Sequence, residues 1–182
     1  TVVAKSCQDK MTLKRKIIKI MDQYVISGDP GQRCTSVAIT IEIIRCESPT
    51  GEDGQAAHNF DGAIKTKVFD MLLGRAMDAN ADVQSQALKG LGVVTTFWRG
   101  EIFETKAPSI LNTLSGLLDT KVTMVADMAL ESLEIIMVNI RPGLVEHILL
   151  NVCFRLQTAI TSEATSTLCR GLKLLRTIAS IG

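Results

Sequence analysis

Apolar residues along this chain recur at every third or fourth position, which is the spacing that places them on one face of an α-helix. Between residues 12 and 27 the stripe consists of Leu13, Ile17, Ile20, Met21 and Tyr24. Similar stripes follow in later segments, separated by short turns rich in Asp, Asn, Gly, Ser and Thr. The pattern predicts an all-α chain whose first helix covers residues 12–27.

A second helix is predicted from Pro30 to about Arg45, directly after a turn at Gly28. Asp29 offers a side-chain acceptor to the first backbone N–H groups, and proline is favourable at the first helical position. Residues 37–44 are rich in β-branched side chains, so propensity alone also allows a strand there. The cap and the length of the segment favour a helix.

The remaining apolar stripes predict helices at residues 62–77, 83–98, 108–118, 121–140, 144–160 and 164–181. Pro108 is expected to begin its helix, with a short helical turn from Glu101 ahead of it. Residues 48–61 are mostly polar and predict a loop, either a regulatory one around Ser48-Pro49 or a tolerated insertion. We therefore expect one domain over residues 1–182 with a loop at about 48–61. A first residue other than Met fits a segment of a longer array.

A sequence pattern repeats along the second half of the chain. The series Val-x-x-x-Ala-Leu-x-x-Leu begins at Val83 and again at Val125, and its later part returns at Gly171. The small residues Ala87, Ala129 and Gly171 are spaced 42 positions apart. A small residue lets a neighbouring helix approach closely, and the leucines form a stripe that a single helix pair cannot bury. The pattern predicts stacked helix pairs.

The helix that starts near Val83 resembles the second helix of a HEAT repeat. The turn before it, Asp78 to Asp82, is Asp-rich, and the consensus Val, Ala-Leu and Leu follow in order. Gln84 stands where HEAT repeats usually carry Arg, and Pro108 matches the proline common in their first helices. A period of 42 residues fits HEAT repeats, with armadillo repeats as the next resemblance. The likeness covers residues 62–182 and is weaker over residues 1–61.

This resemblance implies an α-solenoid of about four antiparallel helix pairs, whose second helices line a concave surface. Solenoids of this kind serve as scaffolds and adaptors, among them transport receptors, phosphatase scaffolds and regulators of condensin and cohesin. The resemblance therefore implies a non-enzymatic module that binds another protein. It does not separate these families from one another.

Composition narrows the classes of function further. The net charge is +1, so no global field draws the chain to nucleic acid or to an anionic membrane. Apolar runs stay below the roughly 20 residues of a membrane span. The mean hydropathy of +0.23 is high for a free-standing domain. It predicts apolar surface that meets another chain or the rest of a longer protein. An exposed apolar flank at either terminus is expected to continue the array or to join a second copy of the chain.

Candidate chemistry is sparse. The five cysteines are scattered without a C-x-x-C pair, which predicts reduced, buried thiols in an intracellular protein, cytoplasmic or nuclear. His58 and His147 have no neighbours at metal-ligand spacing. No phosphate-binding glycine loop is present, because Gly90 and Gly92 fall inside a predicted helix, where glycine suits close packing. No nucleophile–base pair is evident either. We expect no enzyme activity, metal or cofactor.

Acidic residues form a stripe on one predicted helix. Asp127, Glu131 and Glu134 follow the i, i+4, i+7 spacing and share a face. Because the resemblance puts second helices on the concave surface, this stripe is predicted to receive a basic segment of a partner. Lys89 and Arg170, on neighbouring second helices, complete the predicted partner-binding set. The alternative is an ordinary solvated face.

A basic cluster on the first helix suggests a different function. It consists of Lys10, Lys14, Arg15, Lys16 and Lys19. Two pairs in it have the i, i+4 spacing, so the cluster is expected to share a polar face that contacts phosphate or an acidic partner. The alternative hypothesis is therefore a solenoid segment bound to nucleic acid or chromatin. The simpler interpretation is a solvated terminal helix.

Three aromatic residues cluster near one helix end. Phe97 and Trp98 end the helix predicted at 83–98, and Phe103 follows the break at Arg99-Gly100. We expect them to fill the core between repeats, with an exposed aromatic anchor for a partner as the alternative.

Overall fold

The computed structural model describes residues 2–46, 60–98, 100–140, 152–157, 161 and 163–181, with side chains from residue 10 to residue 180. Every regular element within these ranges is an α-helix. The helices are α1 (Val2–Tyr24), α2 (Pro30–Arg45), α3 (Gly62–Ala76), α4 (Ala81–Phe97), α5 (Glu101–Gly116), α6 (Thr123–Asn139), α7 (residues 152–157) and α8 (Thr165–Ile181). The all-α prediction is confirmed. The loop predicted at 48–61 falls mostly outside the described residues, as do residues 144–151 of the predicted helix 144–160 and His58 and His147.

Side-chain caps fix three of the helix starts. Asp29 accepts a hydrogen bond from the backbone N of Gly31 at 3.0 Å, and Asp61 accepts one from Ile64 at 2.9 Å. Asn80 caps α4 in the same way, by accepting from the two backbone N–H groups at positions 82 and 83. Each cap satisfies donors that have no partner within the helix, so the helix begins at a defined residue.

Helix α2 is helical in spite of its β-branched centre. Val37, Ile41 and Ile44 all lie on its buried face. These side chains gain more from packing at helical spacing than they lose in rotamer freedom. The prediction of a helix from Pro30 to about Arg45 is confirmed.

Helix α5 differs from the prediction, because Pro108 stands inside it and not at its start. The helix begins at Glu101, after Gly100 with its positive φ of 101°. Phe103 and Ala107 are buried on the first two turns, so the apolar face extends through the proline. Proline removes one backbone hydrogen bond from a helix interior, and burial of these side chains offsets that loss.

The helices pack in a regular order. Consecutive helices form the pairs α1–α2, α3–α4 and α5–α6. The even-numbered helices, here called the second helices, also pack in series: α2 on α4, α4 on α6 and α6 on α8. Helix α3 packs on α5. Most of the buried apolar side chains of these helices belong to one continuous cluster.

Small residues allow the second helices to approach closely. Ala87 and Ala129 are fully buried, as the repeat pattern predicted. A Cβ at Gly92 of α4 would lie 3.6 Å from the Cα of Ser132 on α6. Across the α4–α6 contact, the Ser132 hydroxyl donates to the carbonyl oxygen of Leu88 at 2.8 Å. The second helices therefore meet almost backbone to backbone, with little room for larger side chains.

Trp98 is a core residue at the junction of α4 and α5. Its ring makes edge contacts with Phe60 and Phe69, with ring centroids 5.9 Å and 6.1 Å apart. Phe103 stacks on Phe69, and Phe97 is partly buried against the same core. The prediction that these aromatic residues fill the core is confirmed, and no exposed aromatic anchor forms here among them.

The prediction of buried thiols is wrong for the cysteines that the structure describes. Cys46 and Cys169 are exposed, and Cys34 and Cys153 are half-buried. Cys34, Cys153 and Cys169 lie on helices whose buried positions are filled mainly by Ile, Leu and Val neighbours, and Cys46 is the residue that caps the end of α2. The Cys7 side chain lies outside the described residues.

Candidate functional site

The acidic stripe of α6 faces α8. Arg170 on α8 donates from Nη1 to a carboxylate oxygen of Glu131 at 2.5 Å, and its Nε lies 3.8 Å from Asp127. The Thr167 hydroxyl donates to the other oxygen of Asp127 at 2.6 Å. These contacts join residues 39 and 40 positions apart in sequence. Arg170 therefore contacts two other predicted partner-binding residues, Asp127 and Glu131.

A further ion pair extends this row. Lys173 lies 3.0 Å from the carboxylate of Glu134, one turn beyond the pair between Arg170 and Glu131. The three acids of α6 thus meet two bases of α8. The stripe is a mixed-charge ladder between two helices and not an open acidic surface, so a purely basic segment would have to displace the two bases of α8.

An open groove of about 660 Å³ runs beside this ladder. It is lined by residues of α4, α6 and α8: Thr96, Glu131, Glu134, Ile135, Val138, Asn139, Arg170 and Lys173. Val138 is 67% exposed, one of several large apolar side chains that the described residues expose. The groove therefore presents an apolar side chain flanked by charges of both signs, an arrangement suited to binding a polypeptide segment.

The predicted partner-binding residues take different places around this groove. Glu131, Glu134 and Arg170 line it. Asp127 pairs with Arg170 one turn before Glu131, just outside the lining. Lys89 is exposed on α4, two turns before Thr96 on the same helix face, so it lies beside the approach to the groove.

The sequence reasoning missed five of the eight lining positions, namely Thr96, Ile135, Val138, Asn139 and Lys173. Thr96 and Val138 carry no charge and were not distinguished from core residues. Lys173 follows Arg170 at the i, i+3 spacing, so the same helical periodicity that selected the acids would have found it.

The basic cluster of α1 does not form one surface. Lys14 donates to the carbonyl oxygen of Cys46 at 3.4 Å, whereas Arg15 lies 3.7 Å from Asp61, the cap of α3. Lys14 and Lys16 project about 200° apart around the helix axis. The remaining members, Lys10, Lys16 and Lys19, are exposed. The cluster is therefore spread around α1, which disfavours a single phosphate-binding patch.

Two other depressions lie next to α1. One, of about 550 Å³, separates α1 from α3 and includes Ile26 and Lys67. The other, of about 480 Å³, lies between α1 and α2 and includes Tyr24 and Ile39. Within the described ranges, no three His, Cys, Asp or Glu side chains are grouped so that they could hold a metal ion. None of the described helices combines the length and the hydropathy needed to cross a bilayer.

Comparison with known proteins bears on the fold alone. No family model matches the chain, and no curated protein matches it significantly. Among solved structures, one similar chain is an engineered protein from the Northeast Structural Genomics Consortium, with a TM-score of 0.65 and 15% identity over 91% of this chain. The chain spans 38% of that engineered protein. A second engineered protein from the same consortium reaches a TM-score of 0.40 at 11% identity, covering 90% of this chain and 98% of that one.

Proposed function

We propose that the chain is a HEAT-type α-solenoid segment that acts as a non-enzymatic scaffold and binds another protein in the groove around Val138. The proposal has two parts, an arrangement of the helices and a binding surface. Each is supported by different contacts of the described residues.

The order of packing supports the solenoid arrangement. Pairs of antiparallel helices that stack side by side bring every second helix against the next second helix, and the first helices likewise. The series α2–α4–α6–α8 and the contact of α3 with α5 follow that order. Four helix pairs arranged in this way form two layers, with the second helices in one of them.

The sequence separation of the polar contacts supports the same arrangement. Lys106 of α5 pairs with Asp70 of α3, 36 residues earlier, and Arg155 of α7 pairs with Asp119, also 36 residues earlier. Between second helices the hydrogen bond from Ser132 spans 44 residues. Contacts that recur at about one repeat length are expected when each repeat touches only its neighbours.

The groove is the observation that carries the binding function. Its apolar residues, Ile135 and Val138, sit between charged side chains that already neutralise one another. A partner segment gains by covering Val138, while the paired charges around it orient the segment by hydrogen bonds. Lys89 is exposed on α4, two turns before the groove residue Thr96. It therefore favours a partner that carries a carboxylate next to this end of the groove.

We also propose an intracellular location for this scaffold. The exposed thiols of Cys46 and Cys169 support it, because free surface thiols persist where the compartment is reducing. The proposal of a scaffold does not depend on this location.

The test is affinity capture from nuclease-treated lysate with three baits: the unaltered chain, Val138→Arg, and Leu13→Arg. Leu13 is a matched control, since it is 59% exposed and lies on α1, outside the groove. We expect proteins that are retained by the unaltered chain and by Leu13→Arg and are lost with Val138→Arg. Two results would contradict the proposal: retention of the same proteins by all three baits, or capture of proteins only from a parallel lysate that has not been treated with nuclease.

A further inference from the structure

Leu172 on α8 occupies a position at which the two preceding second helices bury a leucine. Leu88 of α4, Leu130 of α6 and Leu172 are spaced 42 residues apart. Leu88 is 0% exposed and Leu130 is 1% exposed, whereas Leu172 is 52% exposed. The same position in the repeat is thus core in two helices and surface in the third.

The order of packing explains this difference. Helix α4 is covered by α6, and α6 is covered by α8. Helix α8 in turn packs on α6, and Leu172 remains exposed. The face around Leu172, here called the outer face of α8, therefore continues the interface by which each second helix meets the next.

Charge indicates what kind of helix fits the outer face. On α6, the face that meets α8 carries the acids Asp127, Glu131 and Glu134. One repeat later the same three positions hold Cys169, Lys173 and Arg176. All three of these side chains are exposed. The acidic face of α6 receives the basic helix α8, so the basic outer face of α8 complements an acidic helix.

We infer that the outer face of α8 docks an amphipathic helix of another protein, with an apolar stripe against Leu172 and carboxylates against Lys173 and Arg176. A second copy of this chain fits less well. Two copies of α8 packed on each other would bring Lys173 and Arg176 of one copy against the same residues of the other, and like charges at an interface repel.

This surface is separate from the groove. Leu172 and Arg176 do not line the groove, although Lys173 borders both surfaces. If no acidic helix binds the outer face, the function proposed for the groove is unaffected. Likewise, if no protein binds the groove, the inference about the outer face is unaffected.

The probe is a pair of synthetic peptides with the sequence of residues 164–181, both carrying Cys169→Ser to prevent disulfides. The peptide copies α8, whose inner face packs on the second helix α6 in the chain, so its apolar stripe already suits a second helix. Only the basic residues beside that stripe must become acidic for the peptide to fit the basic outer face. The acidic peptide carries Arg170→Glu and Lys173→Glu, and the reference peptide keeps both bases. Binding of each labelled peptide to the full chain is measured by fluorescence anisotropy at low salt.

We expect the acidic peptide to bind at least about tenfold more tightly than the reference peptide. The substitutions Leu172→Asp and Arg176→Glu in the chain should each lower its affinity for the acidic peptide by about tenfold or more. Leu13→Asp, the same kind of change at an exposed leucine of α1, should leave the affinity unchanged. Arg176→Glu should instead favour the reference peptide, a reversal that a misfolded variant would not give.

Three results would overturn the inference. The first is that the acidic and the reference peptide bind the unaltered chain with equal affinity and bind Leu172→Asp equally well. The second is no binding of the acidic peptide up to about 1 mM. The third is a dimer of the unaltered chain in sedimentation velocity that Leu172→Asp abolishes, which would assign the outer face to a second copy.

Discussion

Arg33 of α2 holds both carboxylate oxygens of Asp78, 45 residues further along the chain, with its Nε at 2.9 Å and its Nη2 at 2.8 Å. Arg75 adds a third contact to Asp78 at 3.0 Å, and the backbone N of Asn80 donates to it as well. The Asp78 side chain is 3% exposed. This bidentate pair joins the start of α2 to the turn between α3 and α4, and so links the first two helix pairs.

Replacement of Asp78 by asparagine should destabilise the chain strongly. The variant keeps the size of the side chain and removes the charged partner that Arg33, 12% exposed, and Arg75, 27% exposed, share at the buried position of Asp78. We expect Asp78→Asn to lower the Tm by on the order of 5 °C in a thermal melt followed by circular dichroism.

The control for this change is Asp70→Asn. Asp70 pairs with Lys106 at the surface and its side chain is 55% exposed. Exposed ion pairs contribute little to stability, so the Tm should change by no more than about 2 °C. Equal losses for the two variants would mean that the buried pair of Asp78 has no special role.

The same pair predicts how stability depends on pH. Hydrogen bonds from Arg33, with a smaller contribution from the backbone of Asn80, hold the pKa of Asp78 below its ordinary value of 3.8 in the folded chain. A carboxyl group whose pKa is lowered by folding stabilises the fold above its unfolded pKa, and this contribution is lost as the pH falls through the folded pKa.

The measurement is the free energy of unfolding of the unaltered chain and of Asp78→Asn across a pH series, from urea titrations. The difference between the two should be constant near neutral pH and should shrink as the pH falls below 3.8. A difference that grew toward acid pH would contradict the assignment, because the other carboxyl groups are common to both chains.

Two glycines in helices should respond oppositely to alanine. Gly90 faces the core, where a Cβ would come within 2.9 Å of side-chain carbons of Leu72 and Ile41, whereas Gly74 has nothing within 4 Å. Alanine improves helix propensity by about 1 kcal/mol at either site, but crowding in a packed core costs about 1–3 kcal/mol. Urea unfolding should show Gly74→Ala more stable and Gly90→Ala less stable than the unaltered chain. A stabilised Gly90→Ala would show that α2 and α4 pack less tightly than described.

Local signals in the sequence predicted much of the fold. The cap at Asp29 and the helical spacing of apolar residues specify α2 even though its centre favours a strand. The equal spacing of Ala87 and Ala129 anticipated two buried contacts. Pro108 was placed wrongly because a local rule puts proline at helix starts, and burial of Phe103 and Ala107 outweighs that rule.

The candidate site was less accessible from the sequence. Asp127, Glu131 and Glu134 were correctly grouped on one face, since that grouping depends only on helical spacing. Their pairing with Arg170 and Lys173 depends on the register between α6 and α8, helices about 40 residues apart, and single-helix periodicity does not contain it. The exposure of Val138 depends on the same packing.

The most direct test of the account is photo-crosslinking from position 138. A benzophenone amino acid is placed there in the full chain, and in a second chain at Leu13 as the matched exposed position. After irradiation in nuclease-treated lysate, crosslinked proteins are identified by mass spectrometry. The account predicts a defined protein crosslinked from position 138 and absent from position 13. The same products from both positions, or none from position 138, would contradict a protein-binding groove on the second helices.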